Sequence, residues 1–450
     1  MMEQRFKIQH ARAMMFSLVC GVASVAVAQQ DSIPLPTSWS YADCVEYAKA
    51  NNIQLQQSYL TRQSSDADLE AAKGEWLPTF DFATTQSVTN YPSPADGKHH
   101  NTYSGTYGIN AGWTVYDGNT RGNNIKRGEL QNVVNDMSIE EINNNLETQI
   151  LGYYLQILYA REAIDIAKQT LEVSEAQMKR AEQLMLSGKM SKVDYVQLES
   201  QYHTDRYNVV TAENNYESQK TDLKQLLELG IGYDMVLDSL EFSEELIMQP
   251  LPDKETVYAV AITWLPELRG KAIEQQMSDI DIKIARAGYL PSISLNGSIG
   301  TMNVSGTDYS FGSQFLDNLN EQIGITLSIP IFDGKKTKTS VAKARIDKLN
   351  SVLEYRSLQN DIAQSIENAY LDARSSQAQY ISGKEQLKSA ELTDELTNEQ
   401  FKLGLVNTLD LLSSHNALLS ARQQLLQAKY MALMNIKMLE FYQHKGISLP

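Results

Sequence analysis

The 450-residue chain carries 55 acidic and 39 basic residues, a net charge of −16, so it repels a phosphate backbone and nucleic acid is excluded as a partner. It has only two cysteines, Cys20 and Cys44, which leaves stability to packing, and 42% apolar residues suffice for a large core. Beyond residue 28 no stretch approaches the ~20 continuous apolar residues of a membrane-spanning helix, so any crossing of a bilayer must use strands.

Residues 1–28 read as a signal peptide. Arg5, Lys7 and Arg12 precede an apolar stretch from Ala13 to Ala28, and the stretch closes on Ala26, Val27, Ala28, the small-residue pattern that signal peptidase cuts. Cleavage there starts the mature chain at Gln29, outside the cytoplasm, with a net charge of −18 and Cys44 as its single cysteine. Cys20 offers a second reading as the lipid-bearing residue of a lipoprotein, with Val19 standing where that processing wants a small side chain.

The mature chain is written twice. Glu75, Trp76, Leu77, Pro78 return as Gly288, Tyr289, Leu290, Pro291; Tyr116, Asp117, Gly118 return as Phe332, Asp333, Gly334; Gly188 with Asp194 returns as Gly404 with Asp410. The offsets are 213, 216 and 216 residues. A tandem duplication accounts for them: a first repeat over 29–230, a linking segment over 231–256, and a second repeat over 257–450. Each repeat reads as helix, two strands, very long helix, shorter helix. The prolines fall in the leading linker, at strand edges, in loops or at the terminus.

The first strands are expected over 79–90 and 103–116. In the second of these Tyr107, Ile109, Ala111, Trp113 and Val115 alternate with Thr106, Gly108, Asn110, Gly112 and Thr114. The pattern from Thr79 to Asn90 is weaker. Residues 119–187 follow as a long helix, because no proline falls between Pro94 and Pro250 and the segment is rich in Leu, Ala, Glu, Gln and Ile. At 1.5 Å per residue it is about 100 Å long. A glycine turn at Ser187 to Ser191 then sends a second helix back to about residue 229, which makes a helical hairpin.

The second repeat is cleaner. Ile293, Leu295 and Ile299 alternate with serines and Asn296 over 292–304, and Ile323, Ile325, Leu327, Ile329 and Ile331 alternate with Gln322, Gly324, Thr326 and Ser328 over 321–332. A proline-free helix over 335–403 carries a packing stripe of Leu349, Leu353, Leu358, Ile362, Ile366, Ala369 and Ala373. It turns at Leu403 to Thr408 and returns to about residue 442.

A two-faced sheet in a soluble sandwich fits the alternation alone. Against it, the polar faces are Ser, Thr, Asn, Gln and Gly, almost free of the Lys and Glu of a solvent-facing sheet, and the segments, about twelve residues long, slightly exceed the ~9 to 11 residues a tilted strand needs in a bilayer. Four strands cannot close around a lumen, and an open edge in lipid leaves its amides unpaired. The chain must therefore assemble, as two, three or four copies.

With these landmarks in place, the chain resembles the TolC-type outer membrane efflux protein family over nearly its whole length. The resemblance rests on Leu77, Pro78 and Leu290, Pro291, on Tyr116, Asp117, Gly118 and Phe332, Asp333, Gly334, and on the turns Leu186, Ser187, Gly188 to Asp194 and Leu403, Gly404, Leu405, Val406 to Asp410. It implies a mixed α and β membrane protein. Three copies would form a homotrimeric 12-stranded β-barrel in the outer membrane of a Gram-negative bacterium, continuous with a long periplasmic α-helical barrel and an equatorial domain to which 230–256 would contribute. The loops Tyr91 to Thr102 and Ser305 to Asn320 would face outside the cell, and the turns at Gly188 and Gly404 would form the periplasmic tip. The implied function is a passive exit duct of a tripartite efflux pump or type I secretion system. Its partners would be a periplasmic adaptor (membrane fusion) protein, an inner-membrane transporter of RND or ABC type, and outer membrane lipid.

The resemblance also implies a constriction at the tip. Asp410 falls on one of the family's acidic positions and Asp194 on its counterpart across the hairpins; three copies of Asp410 around an axis would favour cations. Both aspartates equally suit caps of the returning helices. Where family members carry a second acid this chain has Ser413, and their tyrosine and arginine gate partners fall on Phe401 and Val406, so a weaker or apolar closure is expected in place of a hydrogen-bonded latch. Trp113, Tyr116 and Phe332 suit an interfacial aromatic girdle or packing.

Asp117, Gly118 and Asp333, Gly334 read as turn and cap residues, and Cys44 as packed. His99 and His100 beside Asp96 read as solvated loop more than as a metal site. A periplasm-spanning coiled-coil tether or adhesin is the alternative of another class, predicting continuous heptads and no lipid-compatible strands. The sequence shows no nucleophile and base, metal quartet or phosphate loop, so neither an enzyme nor a cofactor is expected.

Overall fold

A computed structural model describes residues 36–93, 100–238, 240, 242–306 and 309–449. The expected signal peptide with Cys20, and Asp96 and His99 of the β-hairpin loop, lie outside the described residues.

The two repeats fold alike. Helices α1 (Tyr41–Asn51) and α2 (Ile53–Gly74) lead to strands β1 (Thr79–Asn90) and β2 (Asn101–Tyr116), then to α3 (Thr120–Leu186) and α4 (Lys192–Leu226). A linking segment holds the single turn α5 (Glu244–Ile247). The second repeat gives α6 (Lys254–Trp264), α7 (Pro266–Ala287), β3 (Ser292–Val304), α8 (Phe311–Asp317), β4 (Asn320–Ser328), α9 (Lys336–Lys402) and α10 (Thr408–Tyr442). Corresponding helices have equal lengths, 11, 22, 67 and 35 residues in both halves, as a duplicated scaffold requires.

The leading helix of each repeat is broken in two. Asn52 leaves the helical region with ψ 125 and its side chain caps Leu55 N–H; Leu265 does the same with ψ 122 because Pro266 follows it. Pro266 sits at the first position of α7, where no N–H is needed, and so starts a helix rather than a loop.

The four strands form one antiparallel sheet in the order β1-β2-β3-β4, so the repeats join at the central β2–β3 ladder and β1 and β4 are free edges. Register aligns chemistry across all four strands. Asp81, Asn110, Ser298 and Gln322 form one row, and Thr79, Gly112, Asn296 and Gly324 another, on the polar face. Phe80, Ala111, Gly297 and Ile323 form a row on the other face, next to the row Phe82, Ile109, Ile299 and Glu321, whose carboxylate stands at the β4 edge. The weak alternation of β1 therefore belongs to the same pattern.

Two details depart from the expected strands. A register shift between Thr114 and Tyr116 brings Tyr116 opposite Ile293, so Tyr116 and not Val115 continues the apolar face. Strand β4 ends at Ser328 rather than at Phe332, because Pro330 has no N–H for the ladder. No second sheet covers either face among the described residues: Ile323 is 85% exposed and Phe82 66%.

The main core lies halfway along the helices. Trp39, Cys44, Ala48, Ile150, Leu151, Tyr154, Leu158, Leu223, Leu227, Met235, Leu237 and Leu433 pack there, bringing α1 and the linking segment against α3, α4 and α10. A parallel bridge between Trp39 and Leu237, with the Trp39 indole N–H donating to Tyr233 Oη at 2.8 Å, stitches the linking segment into place. A smaller core of Val257, Ala261, Leu265, Leu268, Ile362 and Ile366 is its counterpart in the second repeat. Cys44 is fully buried, in keeping with its amphipathic setting.

Candidate functional site

The strand-to-helix junction orients the sheet on the helices. Asp117 accepts from the Thr120 and Arg121 N–H groups at 3.1 Å and so caps α3, while Gly118 and Asn119 turn the chain at φ 70 and 67. Buried Arg121 donates to Asp117 Oδ2 at 3.0 Å and to the Glu75 carbonyl at 3.0 Å, and stacks on Trp76 at 4.4 Å. Trp113 donates its indole N–H to the Trp76 carbonyl at 3.0 Å. Trp113 and Tyr116 are thus fixed near one end of the sheet; Phe332, beyond the end of β4, is exposed. In the second repeat Asp333 caps Thr337 N–H at 2.8 Å, and Thr337 replaces Arg121.

At the opposite end of the helices the two turns share one design. Helix α3 ends in Gly188 at φ +73, with Lys189 N–H bonded to the Leu184 carbonyl at 2.8 Å; α9 ends in Gly404 at φ +73, with Leu405 N–H bonded to the Gln400 carbonyl at 2.9 Å. These are left-handed helix stops that favour glycine. An added Cβ meets nothing within 4 Å at either, so the restriction is torsional rather than steric. Gly188→Val and Gly404→Val are each expected to cost about 1–2 kcal/mol locally. Hydrogen exchange should show faster opening confined to the turn that carries the substitution.

The returning helices begin with caps. Ser191 Oγ accepts from Asp194 N–H at 3.1 Å, and Asn407 and Asp410 form a reciprocal capping box, with Asp410 N–H donating to Asn407 Oδ1 at 2.9 Å. Asp410 and Ser413 are exposed and touch no residue of the first hairpin through a hydrogen bond. Asp194 does cross between hairpins: the Thr408 hydroxyl donates to its Oδ1 at 2.8 Å. Hydrogen bonds from Ser191 and then Thr408 hold the Asp194 carboxyl below the usual carboxylate range.

Phe401 lies beside an apolar cluster of Ala181, Leu198 and Leu411, together with Met190, Tyr195 and Leu412. Ala181 and Leu198 come from the first hairpin and Leu411 from the second, so the cluster bridges the hairpins within one chain. Two further residues bridge them without any signal in the sequence. His415 on α10 places Nε2 3.8 Å from Asp205 Oδ2 on α4, with side chains only 5% and 1% exposed, and Gln201 donates to Asp205 Oδ1 at 3.0 Å. Nothing local marks Thr408, His415 or Asp205, because each meets its partner some 210 residues away in sequence.

The arrangement can hold two hairpins together, and its side chains are cap, clasp and packing groups. Among the described residues no cluster of His, Cys, Asp and Glu could hold a metal ion, and no helix is long and apolar enough to cross a membrane.

Comparison with known proteins agrees with this geometry. The chain is 22% identical over 387 residues to the outer membrane efflux protein BepC of Brucella suis biovar 1 (strain 1330), covering 85% of this chain and 80% of that one. It is 21% identical over 399 residues to the outer membrane protein TolC of Escherichia coli (strain K12), covering 87% and 79%. The solved structure of CusC shares the fold at a TM-score of 0.77 and 18% identity, over 92% of this chain and 96% of CusC. The family model described as "Outer membrane efflux protein" matches residues 44–228 and 259–440, one stretch in each repeat, so the chain belongs to the outer membrane efflux protein family.

Proposed function

We propose that three copies of this chain close edge to edge into a 12-stranded barrel in the outer membrane, continuous with a periplasmic helical barrel, and serve as the passive exit duct of a tripartite efflux pump or type I secretion system. The sheet carries the proposal. One face is apolar and largely uncovered, the other is small and polar, and the outer edges of both β1 and β4 have no strand partner among the described residues. Only a closed ring satisfies such edges in lipid while giving the polar face a water-filled bore.

The helices support the same assembly. The middle of the α9 stripe, Ile362, Ile366 and Ala373, is buried within the chain, whereas Leu349 and Leu353 before it and Leu392 and Leu396 after it are exposed along the same helix. An apolar stripe of that length on a helix of about 100 Å needs a neighbouring helix, and a second copy provides one. In this arrangement the Gly188 and Gly404 turns form the periplasmic tip that meets an adaptor protein coupled to an inner-membrane transporter. The tip is closed by the Phe401, Leu198, Leu411 packing and the Asp194–Thr408 clasp, with Asp410 and Ser413 facing the constriction. Trp113, Tyr116 and Phe332 then belong to the periplasmic aromatic girdle.

Detergent-purified protein is expected to run as a trimer that survives mild heating in dodecyl sulfate and to conduct ions in planar bilayers. Light-scattering mass and single-channel recording check this; a monomer that stays soluble without detergent would overturn it.

A further inference from the structure

The connection between β3 and β4 contains the helix α8 in a stretch that the sequence pattern marks only as loop. Its start is capped by Ser310, whose Oγ accepts from Ser313 N–H at 3.2 Å. Strand β4 begins pairing only at Asn320 opposite Gly300, so the last turn of β3 has no strand neighbour on that side. Helix α8 takes that place. Gln314 Oε1 accepts from Val304 N–H at 2.8 Å, and Asn318 Nδ2 donates to the Met302 carbonyl at 2.7 Å.

The side of the sheet on which α8 sits is fixed by two contacts. Thr301 Oγ1 donates to the Phe315 carbonyl at 2.7 Å, and the Phe315 ring packs on Tyr107 with centroids 5.7 Å apart. Thr301 pairs with Tyr107, and both stand two residues along from the Ile299–Ile109 pair, so they share the apolar face. The helix therefore folds onto that face and away from the polar one. It offers Phe311, Leu316 and Leu319 outward, Leu316 at 73% exposure, and Asp317 is the single charged residue between Ser310 and Asn320. Phe311 and Phe315 lie 6.0 Å apart and extend the aromatic run that starts at Tyr107.

We propose that α8 is an outer-leaflet anchor, lying outside the barrel wall with Phe311, Leu316 and Leu319 in the lipid interface at the end of the sheet opposite the helices. The proposal rests on the barrel reading above. The occupant is lipid because the patch lies on the same side of the sheet as Ile299, Ile109 and Phe82, separated from them only by the polar rim of Glu321 and Thr301 that suits a headgroup boundary, lacks basic residues that would serve an aqueous lip, and consists of the aromatic and aliphatic side chains suited to that depth. Helix and girdle would then mark the two membrane interfaces, one at each end of the strands.

The test places nitroxide labels on Phe311→Cys and Leu316→Cys in the full mature chain, reconstituted as the assembled protein in phosphatidylcholine vesicles. Both side chains are exposed, and although Phe311→Cys removes a ring contact to Phe315, the bonds of Gln314, Phe315 and Asn318 that hold α8 on β3 remain. Cys44 is the one native thiol expected in the mature chain; burial pushes its thiol pKa well up and keeps it unlabelled. Ile325→Cys on the apolar face and Ser298→Cys on the polar face act as references. The expected result is collision with oxygen exceeding collision with a water-soluble nickel chelate at 311 and 316, at a depth shallower than 325, while 298 favours the chelate. Chelate-dominated collision at 311 and 316 with a lipid-like 325 would place α8 over the mouth and overturn the anchor alone. Exclusion of both agents there would mean that a neighbouring copy covers α8, and also overturns it. A water-like 325 would overturn the barrel reading and the anchor together.

Discussion

Ile325→Lys is expected to abolish the heat-resistant trimer, whereas Gln322→Lys, three residues earlier on the same strand, leaves assembly intact and shifts ion selectivity away from cations. Both substitutions introduce the same charge in β4, so strand propensity and net charge are held nearly constant. They differ in face. Ile325 pairs with Leu295 on the apolar side, and Gln322 pairs with Ser298 in the row that also holds Asn110 and Asp81. A lysine facing hydrocarbon near the middle of a strand costs about 2–4 kcal/mol in each copy, and closure repeats that cost around the ring. A lysine in the bore keeps its hydration among small polar side chains, so it costs little. Gel mobility of unheated samples and reversal potentials in asymmetric salt read the two effects. Equal tolerance of both substitutions would show that the apolar face does not meet lipid.

The contrast between those positions is legible in the sequence alone, because the side-chain period of a strand separates two faces. The duplicated helices are legible for a similar reason. Proline-free intervals between recurring glycine turns set the long helices to within a residue or two of their observed ends. The features that the sequence hides have different causes. The breaks at Asn52 and Leu265 are single-residue rotations into extended backbone, and Asn52 carries no proline to announce the first of them. The bulge before Tyr116 inverts a face through one unpaired residue, which alternation alone hides. Helix α8 is seven residues long and is held by contacts to the rim of β3 rather than by its own periodicity. At the tip, the glycines and caps are local and legible in sequence. The partners that join the two hairpins are distant in sequence, and only the fold brings Thr408 to Asp194 or His415 to Asp205.

Those inter-hairpin partners carry the other large expected effect, a rise in single-channel conductance when the tip is loosened. Leu411 is fully buried between Ala181 and Leu198, and Leu411→Ala in so small a cluster is expected to remove about 2 kcal/mol of closure. That loss corresponds to roughly a 25-fold shift of the closed-to-open ratio toward open. Thr408→Val deletes the hydroxyl that reaches Asp194 while keeping shape, and is expected to act in the same direction by a smaller amount, about 1 kcal/mol. Asp194→Ala on top of Thr408→Val should add little further opening, since both remove one hydrogen bond, whereas Leu411→Ala on top of either should add nearly in full.

Acidification gives an independent reading of the same clasp. The Ser191 and Thr408 hydroxyls hold the Asp194 carboxyl below its ordinary value; Ser191 belongs to the same helix cap, and only Thr408 reaches across from the second hairpin, so it is the Thr408 share that ties the ionised form to the proposed closed tip. Its contribution is fully present above the ordinary carboxylate pKa and is lost as pH falls through the depressed value of the closed state. Conductance should therefore be flat over roughly pH 5–8 and climb only on stronger acidification, with Asp194→Ala removing this share of the climb. Asp410→Ala separates closure from selectivity: Asp410 caps its own helix and makes no hydrogen bond to the first hairpin. It should leave the open-to-closed ratio nearly unchanged while relieving block by divalent cations. Block that persists in Asp410→Ala, with conductance unmoved by Leu411→Ala, would place both the gate and the constriction away from the glycine turns.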